Sequence, residues 1–313
     1  MKLFFSLIIF FLPLLAKVKP LVPWYTGSLL STSGRVMDVG DYAYQPYLFF
    51  TDEYGSYDDN YSFRSQTSLY QIQTIQIFQG SLTSFADFQI LGQAFSNFKK
   101  GASSTNIGDT NVLLGLQVSW AKPGTYIPDI RLTISETFPT GKYDNLSPSK
   151  LGTDETGEGS FQTNIALNYQ QLFYPSPCHP LRIRMNVRYS ILSDLCASNF
   201  HAYGGEKGAE DHVNPGNQIL FLFSPEYSLS QKWVITADLT YQHNWETIVK
   251  TEKPESKKGE KTILPSQDLF AFAPAIEYNF SKDLGIIGGV WFSLAGRNTE
   301  AFASLVFSLV YNF

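Results

Sequence analysis

The stretch from Thr299 to Phe313 reads TEAFASLVFSLVYNF, and its alternating side chains indicate the fold more clearly than any other part of the chain. From Ala301 onward, every residue of one parity is apolar or aromatic: Ala301, Ala303, Leu305, Phe307, Leu309, Tyr311 and Phe313. The other parity includes Ser304, Ser308 and Asn312. A period of two is that of a β-strand, whose successive side chains leave opposite faces. Aromatic residues gather where the strands of a transmembrane barrel meet water, so the stretch favours a barrel strand over a buried strand of a soluble protein.

The composition fits the same class of protein. The chain has 313 residues with a formal net charge of −5, and charged residues make up 16% of it while aromatic residues make up 15%. Its mean hydropathy is only −0.11. Many aromatic residues at a moderate hydropathy are typical of strands that are apolar on one face. The mild acidity argues against nucleic acid as a partner, because that partner requires a basic face.

The N-terminus predicts export. Lys2 precedes an apolar run from Leu3 to Leu15, which ends at Ala16. A run of this length is shorter than the roughly 20 residues of a spanning helix and is typical of a secretory signal. We therefore expect a cleaved signal peptide over residues 1–16, with a retained anchor as the alternative. An irregular periplasmic segment rich in Pro, Gly and Ser is expected over residues 17–39, before a barrel over residues 40–313.

Twelve strands are predicted from the alternation of apolar and polar residues. They are Asp41–Thr51, Thr67–Phe78, Ser84–Ser96, Asp109–Ala121, Asp129–Phe138, Ser160–Phe173, Leu181–Ser193, Asn217–Ser228, Lys232–Trp245, Asp268–Phe280, Asp283–Ala295 and Glu300–Phe313. The odd-numbered connections are long or polar, apart from the short last one, and the even-numbered connections are short. Outer-membrane barrels have long loops outside and short turns in the periplasm. The pattern predicts an up-and-down antiparallel transmembrane barrel.

One predicted strand departs from strict alternation. Tyr70 and Ile72 share one parity, whereas Ile75 and Ile77 share the other. If all four side chains faced the lipid, the strand would need one extra residue between the two pairs. We therefore expect a β-bulge near Thr74.

Seven charged side chains fall on the parity expected to face the lumen. They are Arg131, Arg182, Arg184, Arg188, Glu226, Asp238 and Glu277. Three of the arginines form a ladder on one strand, which permits two interpretations. A charged constriction would select solutes and favour anions. Alternatively, the acids neutralise the arginines in a salt-bridged core, and twelve strands fit either case, because about eight give a filled interior and sixteen a channel.

The chain offers little to catalysis or metal binding. Its histidines, at positions 179, 201, 212 and 243, lack the spacing of metal ligands. Gln242-His243-Asn244-Trp245 has no Ser two places after the His, so it differs from the His-x-Ser arrangement of outer-membrane phospholipases. We expect no catalytic residue, no metal and no cofactor.

Short motifs resemble known outer-membrane proteins. Asn106–Asp109 (NIGD) and Phe138–Asp144 (FPTGKYD) are similar to motifs of the phenol meta-cleavage-pathway outer-membrane family, although Lys142 stands where that family has an acid. Gly108 and Gly141 within them are expected to allow backbone angles that other residues avoid. Pro23–Gly27 (PWYTG) resembles an N-terminal motif of uncharacterised outer-membrane proteins. The resemblance implies a barrel that passes small, often hydrophobic, molecules.

The expected function is that of an outer-membrane channel for passive passage of small hydrophobic or anionic molecules. The alternative is a closed barrel whose extracellular loops bind a host surface or a partner protein. Expected partners are outer-membrane lipid, lipopolysaccharide, an unidentified solute and the barrel-assembly machinery. Tyr311 and Phe313 resemble the C-terminal assembly signal that this machinery recognises.

Overall fold

The computed structural model describes residues 21–122, 125–253 and 256–313. Within these ranges the strands are β1 (Tyr42–Tyr57), β2 (Phe63–Thr83), β3 (Ala86–Lys99), β4 (Ala102–Ile107), β5 (Thr110–Ser119), β6 (Asp129–Phe138), β7 (Gln162–Ser176), β8 (His179–Leu192), β9 (Leu195–Ser198), β10 (Glu210–Asn214), β11 (Gln218–Ser228), β12 (Trp233–Asn244), β13 (Thr247–Lys253), β14 (Ser256–Leu264), β15 (Gln267–Asn279), β16 (Leu284–Arg297) and β17 (Thr299–Asn312). One turn of 3₁₀ helix covers Pro148–Lys150. None of the described residues belongs to a helix long and apolar enough to cross a membrane. The expected signal peptide lies outside the described residues.

The strands close into an antiparallel barrel of twelve passes. The order around the sheet is β2-β1-β17-β16-β15-β12-β11-β8-β7-β6-β5-β3, and β2 also pairs with β3, which completes the ring. β4 and β5 both pair with β3, at different heights, and so form one pass. The prediction of a twelve-stranded up-and-down barrel is confirmed, and each predicted strand corresponds to one pass.

The connections are sorted between the two ends of the barrel. The turns after β2, β7, β11 and β15 are short, and the chain enters β1 and leaves β17 at that end, which we call the periplasmic end. Long connections after β6, β8 and β12 lie at the other end. β1 and β2 stay paired up to Tyr57 and Phe63, beyond the ends of the predicted strands at Thr51 and Thr67. The first predicted long loop therefore shrinks to residues 58–62.

The long connections build a second sheet above the barrel, with the order β14-β13-β10-β9. It has a small core of its own, formed by Leu195, Ala197, Val213 and Val249. Tyr143 and Tyr203 pack against this core, so the neighbouring loops rest on the sheet. The extracellular end is therefore covered by ordered structure.

β2 contains no bulge near Thr74. Its pairing with β1 runs without a shift from Tyr42–Gly80 to Glu53–Leu69. Tyr70 and Ile72 are exposed on the outside, whereas Ile75 packs against a core cluster around Leu29 inside the barrel. The predicted bulge is wrong because the prediction assumed that all four apolar side chains face the lipid, whereas Ile75 faces the lumen.

Residues 21–40 form no strand and cross the barrel interior. The segment is bonded to two periplasmic turns, through the Leu21 amide to the Pro177 carbonyl at 2.8 Å and the Trp24 amide to the Gln231 carbonyl at 3.3 Å. Its later residues bond to side chains of the barrel wall before the chain enters β1. We call residues 21–40 the N-terminal plug. The segment is irregular, but its contacts lie inside the barrel rather than below it, where the sequence suggested.

Candidate functional site

The lumen is divided into two cavities. A lower cavity of about 570 Å³ reaches the periplasmic end at Asp283 and Asn312. An upper cavity of about 430 Å³ extends toward Asp109 and Gln162, near the long loops. Five residues line both cavities and mark the constriction between them: Leu30, Thr32, Tyr47, Ile77 and Gln89. Two of the five, Leu30 and Thr32, belong to the plug, so the plug forms part of this constriction.

A buried charge network holds the wall beside the plug. Glu226 accepts a hydrogen bond of 2.9 Å from Arg182 Nε, and a second Arg182 nitrogen also contacts it. Arg184 Nε lies 3.0 Å from the same carboxylate. All three residues are buried. The register explains the pairing with Arg182, because β8 and β11 place Arg182 directly opposite Glu226.

The plug backbone donates hydrogen bonds to the remaining acids of this network. Glu277 accepts a 2.8 Å hydrogen bond from the Thr26 amide, and Asp238 accepts one of 3.1 Å from the Leu30 amide. Both carboxylates are fully buried. Two guanidinium groups thus face three carboxylates, and plug amides supply donors that the arginines cannot. A buried acceptor without a donor is costly, so these bonds hold the plug in place.

The motif Pro23–Gly27 forms this anchor. The Tyr25 ring lies under the Arg182 guanidinium, 3.7 Å from its carbon to the ring centroid. Gly27 has a φ of +124°, and a Cβ there would lie 3.4 Å from the Arg184 guanidinium. The sequence singled out this motif only by resemblance. Its role depends on contacts with strands about 150 to 250 residues away, which no local pattern reveals.

A second set of polar contacts holds the end of the plug. Asp87 accepts hydrogen bonds from Arg131 Nε at 3.1 Å and from the Met37 amide at 3.2 Å. The Val36 amide donates to Gln117 Oε1 at 2.8 Å. Asp87 was missed in the sequence analysis, although it shares the inward parity of Gln89 in its strand. Parity alone could have found it.

An apolar anchor fixes the middle of the plug. Leu29 is 1% exposed and packs with Phe49, Ile287 and Val306. Leu30, its neighbour, is only partly buried and lies at the constriction. Leu29 therefore anchors the middle of the plug, while Leu30 lies at the constriction between the two cavities.

Arg188 differs from the other arginines predicted to face the lumen. It lines the upper cavity and is partly exposed, whereas Arg131, Arg182 and Arg184 are buried. Its Nε, like Arg184 Nε and Arg131 Nη1, has no hydrogen-bond partner among the described residues, but Arg188 alone of the four forms no ion pair with them. Of the seven predicted residues, the structure thus joins Arg182, Arg184, Glu226, Asp238 and Glu277 with the plug, places Arg131 with Asp87, and leaves Arg188 apart.

The two family-like motifs meet at the top of the barrel. Asp109 accepts hydrogen bonds from the Gly141 amide at 2.8 Å and the Glu158 amide at 3.1 Å. Gly108 and Gly141 do not have positive φ angles, so the expected reason for these glycines is wrong. A Cβ on Gly141 would lie 2.5 Å from the Thr156 carbonyl oxygen, and one on Gly108 would overlap the Phe95 ring. Close packing, rather than backbone freedom, requires glycine at both positions.

Lys142 stabilises the same loop. Its Nζ lies 2.8 Å from Asp154 Oδ2, which also accepts a hydrogen bond of 3.0 Å from the Ser147 amide. Burial alone would raise the pKa of Asp154, but these hydrogen bonds hold it below its ordinary value. Loss of solvation raises the pKa of Glu155 to about 7, and the negative charges of Glu158 and Asp154 add to this shift. Across the described ranges, no three His, Cys, Asp or Glu side chains are arranged to hold a metal ion.

Comparisons with known proteins agree with this architecture. Residues 37–309 match a family described as "Putative MetA-pathway of phenol degradation". An outer membrane channel from Pseudomonas putida F1 superposes with a TM-score of 0.67 at 12% identity, covering 91% of this chain and 100% of that chain. The transport unit of the autotransporter AIDA-I from Escherichia coli reaches a TM-score of 0.49 at 13% identity, covering 89% and 93%. A toluene transporter of Pseudomonas putida reaches 0.45 at 11% identity, covering 94% and 95%. No curated protein matches the sequence.

Proposed function

We propose, since the chain belongs to the MetA-pathway phenol-degradation family, that it is an outer-membrane channel for the passive passage of small molecules. The barrel is of the outer-membrane type, and the first of the similar structures is itself described as an outer membrane channel. One neighbour is described as a toluene transporter, which agrees with small apolar solutes. We further propose that the chain reaches the membrane after removal of residues 1–16.

The observation that supports the proposal is the pair of cavities that meet at a narrow constriction. A barrel serving only as a scaffold would gain stability from a filled lumen, as the close packing of protein interiors illustrates. Here about 570 Å³ and 430 Å³ stay open on either side of the plug. The closure consists of one irregular segment and a few side chains. Movement of these groups would join the cavities into a path.

Leu30→Ala tests the path directly. The side chain lies at the constriction, while its backbone amide holds Asp238, so the substitution widens the passage without removing that anchor. We expect single-channel conductance in a planar bilayer to increase several-fold over the wild type. Leu294→Ala is the matched control, because Leu294 is 53% exposed on the outer face of the barrel.

Two results would contradict the proposal. Folded wild type and folded Leu30→Ala that both remain silent would indicate a permanently closed barrel. An equal increase in the Leu294→Ala control would place the effect outside the lumen.

The ordered extracellular sheet favours a second candidate function. β9, β10, β13 and β14 form a sheet with its own core, which a simple pore does not require. A barrel that presents this surface to a host component or another protein would account for it. Deletion of residues 247–264 would then abolish that binding and leave conductance unchanged.

A further inference from the structure

We propose that the upper cavity binds a monocarboxylate with an apolar body, and that Arg188 holds its carboxylate. The inference rests on the proposed channel function, for which it names the class of solute. It comes from Arg188, which, unlike the other predicted lumenal arginines, forms no ion pair with the described residues.

The register around Arg188 explains why it is unpaired. Its neighbours across the strands are Ala166 on β7 and Leu220 on β11, and neither has a side chain that can accept a hydrogen bond. Arg182 in contrast lies opposite Glu226 on β11. Within the described part of the chain, Arg188 forms no ion pair, and Glu158 acts on it only at longer range.

The Nε of Arg188 is buried without an acceptor, which is unfavourable because this atom has lost water without gaining a hydrogen bond. A buried polar atom of this kind calls for an explanation, such as a bound water, ion or ligand. Arg188 also lines a cavity that is large enough for a small organic molecule. An anion placed there would provide the missing acceptors, and a carboxylate matches the fork of a guanidinium.

Part of the cavity is suited to an apolar body. Leu220 and Leu222 flank Arg188, and Leu29 of the plug lines the side toward the constriction. Further apolar lining comes from β1, β2, β3 and β5: Phe49, Ile75, Ile77, Leu91 and Leu113. Amide and hydroxyl side chains line much of the remaining surface. One cation beside an apolar surface suits an amphipathic ligand better than an inorganic anion.

The acids near the cavity favour a single negative charge. Asp109 lines the cavity and is engaged by the amides of Gly141 and Glu158. Glu158 accepts a hydrogen bond of 2.9 Å from Gln162. Both carboxylates have their own donors and would repel the second charge of a dianion. Arg188 is the cation that remains for a monoanion.

Calorimetric titration of the full chain, folded in nonionic detergent, tests the inference. 3-Phenylpropionate is compared with its uncharged amide and with acetate, which has the head group alone. We expect wild type to bind the acid at least tenfold more tightly than the amide or acetate. Arg188→Gln should remove the difference between acid and amide. Arg64→Gln, on an exposed hairpin tip, is the matched control and should preserve it.

Three results would overturn the inference: equal binding of acid and amide by wild type, an unchanged preference in Arg188→Gln, or acetate binding as tightly as the larger acid, which would indicate a simple anion site. If Arg188→Gln does not fold, Arg188→Lys keeps the charge but loses the fork, and its preference should fall between those of wild type and zero. A protein that conducts without this preference refutes the ligand class and leaves the channel intact.

Discussion

At the scale of single residues, the structure turns on how buried charges find partners. Glu226 is fully buried between Arg182 and Arg184. Glu277 and Asp238 each accept a hydrogen bond from an amide of the plug. Arg182 and Arg184 therefore fit the interpretation of a salt-bridged core. Arg188 lines the upper cavity instead, as the alternative interpretation of a charged constriction requires. One strand supplies both roles because its cross-strand neighbours change from acidic to apolar.

Glu226→Gln should be strongly destabilising. It removes the common partner of two buried guanidinium groups, and breaking a buried ion pair costs about 3–5 kcal/mol. The free energy of unfolding, measured by denaturant titration in lipid vesicles, should fall by that amount. Glu246→Gln, at an exposed position, should change it by less than about 0.5 kcal/mol. Equal effects of the two substitutions would show that the network contributes little.

At the scale of elements, the connection over residues 139–161 is an ordered cover. Asp109 binds its backbone at Gly141 and Glu158, and the Lys142–Asp154 pair closes it internally. Lys142, which departs from the family pattern, has its partner within the same loop. The loop also carries Glu155, whose pKa is raised in the folded state. Two acids of the loop therefore respond to pH in opposite directions.

The stability of this loop should be greatest near pH 4. The pKa of Asp154 is lowered on folding, so its contribution is present above the ordinary value of 3.8 and is lost as the pH falls below it. The pKa of Glu155 rises from 4.5 to about 7, so its contribution is present below pH 4.5 and is lost as the pH rises through 7. Hydrogen exchange of the Gly141 and Thr156 amides, corrected for intrinsic rates, should therefore be slowest between these limits.

Two variants separate the limbs of this profile. Asp154→Asn should abolish the change at acid pH, and Glu155→Gln should reduce the change at neutral pH, to which the raised pKa of Glu158 also contributes. Glu155 keeps contact with solvent, so its limb should be the smaller one. A flat wild-type profile between pH 3 and pH 8 would contradict the assignment.

At the scale of the whole molecule, the barrel depends on the closure between β1 and β17. Their pairing runs from Ala43–Asn312 to Tyr57–Thr299. Beyond the last strand residue, Tyr42 and Phe313 exchange two backbone hydrogen bonds of 2.9 Å each. Their rings stack at 6.1 Å between centroids. The residues proposed as an assembly signal thus also lie at the seam that closes the ring.

Phe313→Ala should reduce assembly more than it reduces stability. The side chain is 57% exposed, so its loss removes little buried area from the folded barrel. If the assembly machinery recognises this aromatic, the folded fraction in the outer membrane should fall several-fold, as read from heat-modifiable migration on gels. Phe280→Ala, an exposed aromatic at the same end, is the control. Equal losses in both variants would argue against recognition of Phe313.

Alternation along single strands was enough to predict the passes and the outward faces. Leu305, Phe307 and Leu309 are exposed on the outside, as their parity predicted. Ile75 and Ile77 show where the method fails, because parity identifies a face but not what that face contacts. Parity also directs Asp87 into the lumen, although Asp87 is not among the seven predicted residues. The candidate site was therefore half predictable: its charged residues were found, but their partners were not.

The sequence by itself determined the barrel, its number of strands and the end that carries the long loops. These features follow from local rules, because a strand between lipid and lumen must alternate and a chain that meanders must sort its turns. Only the tertiary structure decided that residues 21–40 occupy the lumen, that Leu30 lies at the constriction and that Arg188 forms no ion pair with the described residues. Those facts depend on which side chains the closed ring places opposite one another, hundreds of residues apart in the chain, and no local pattern encodes such a meeting.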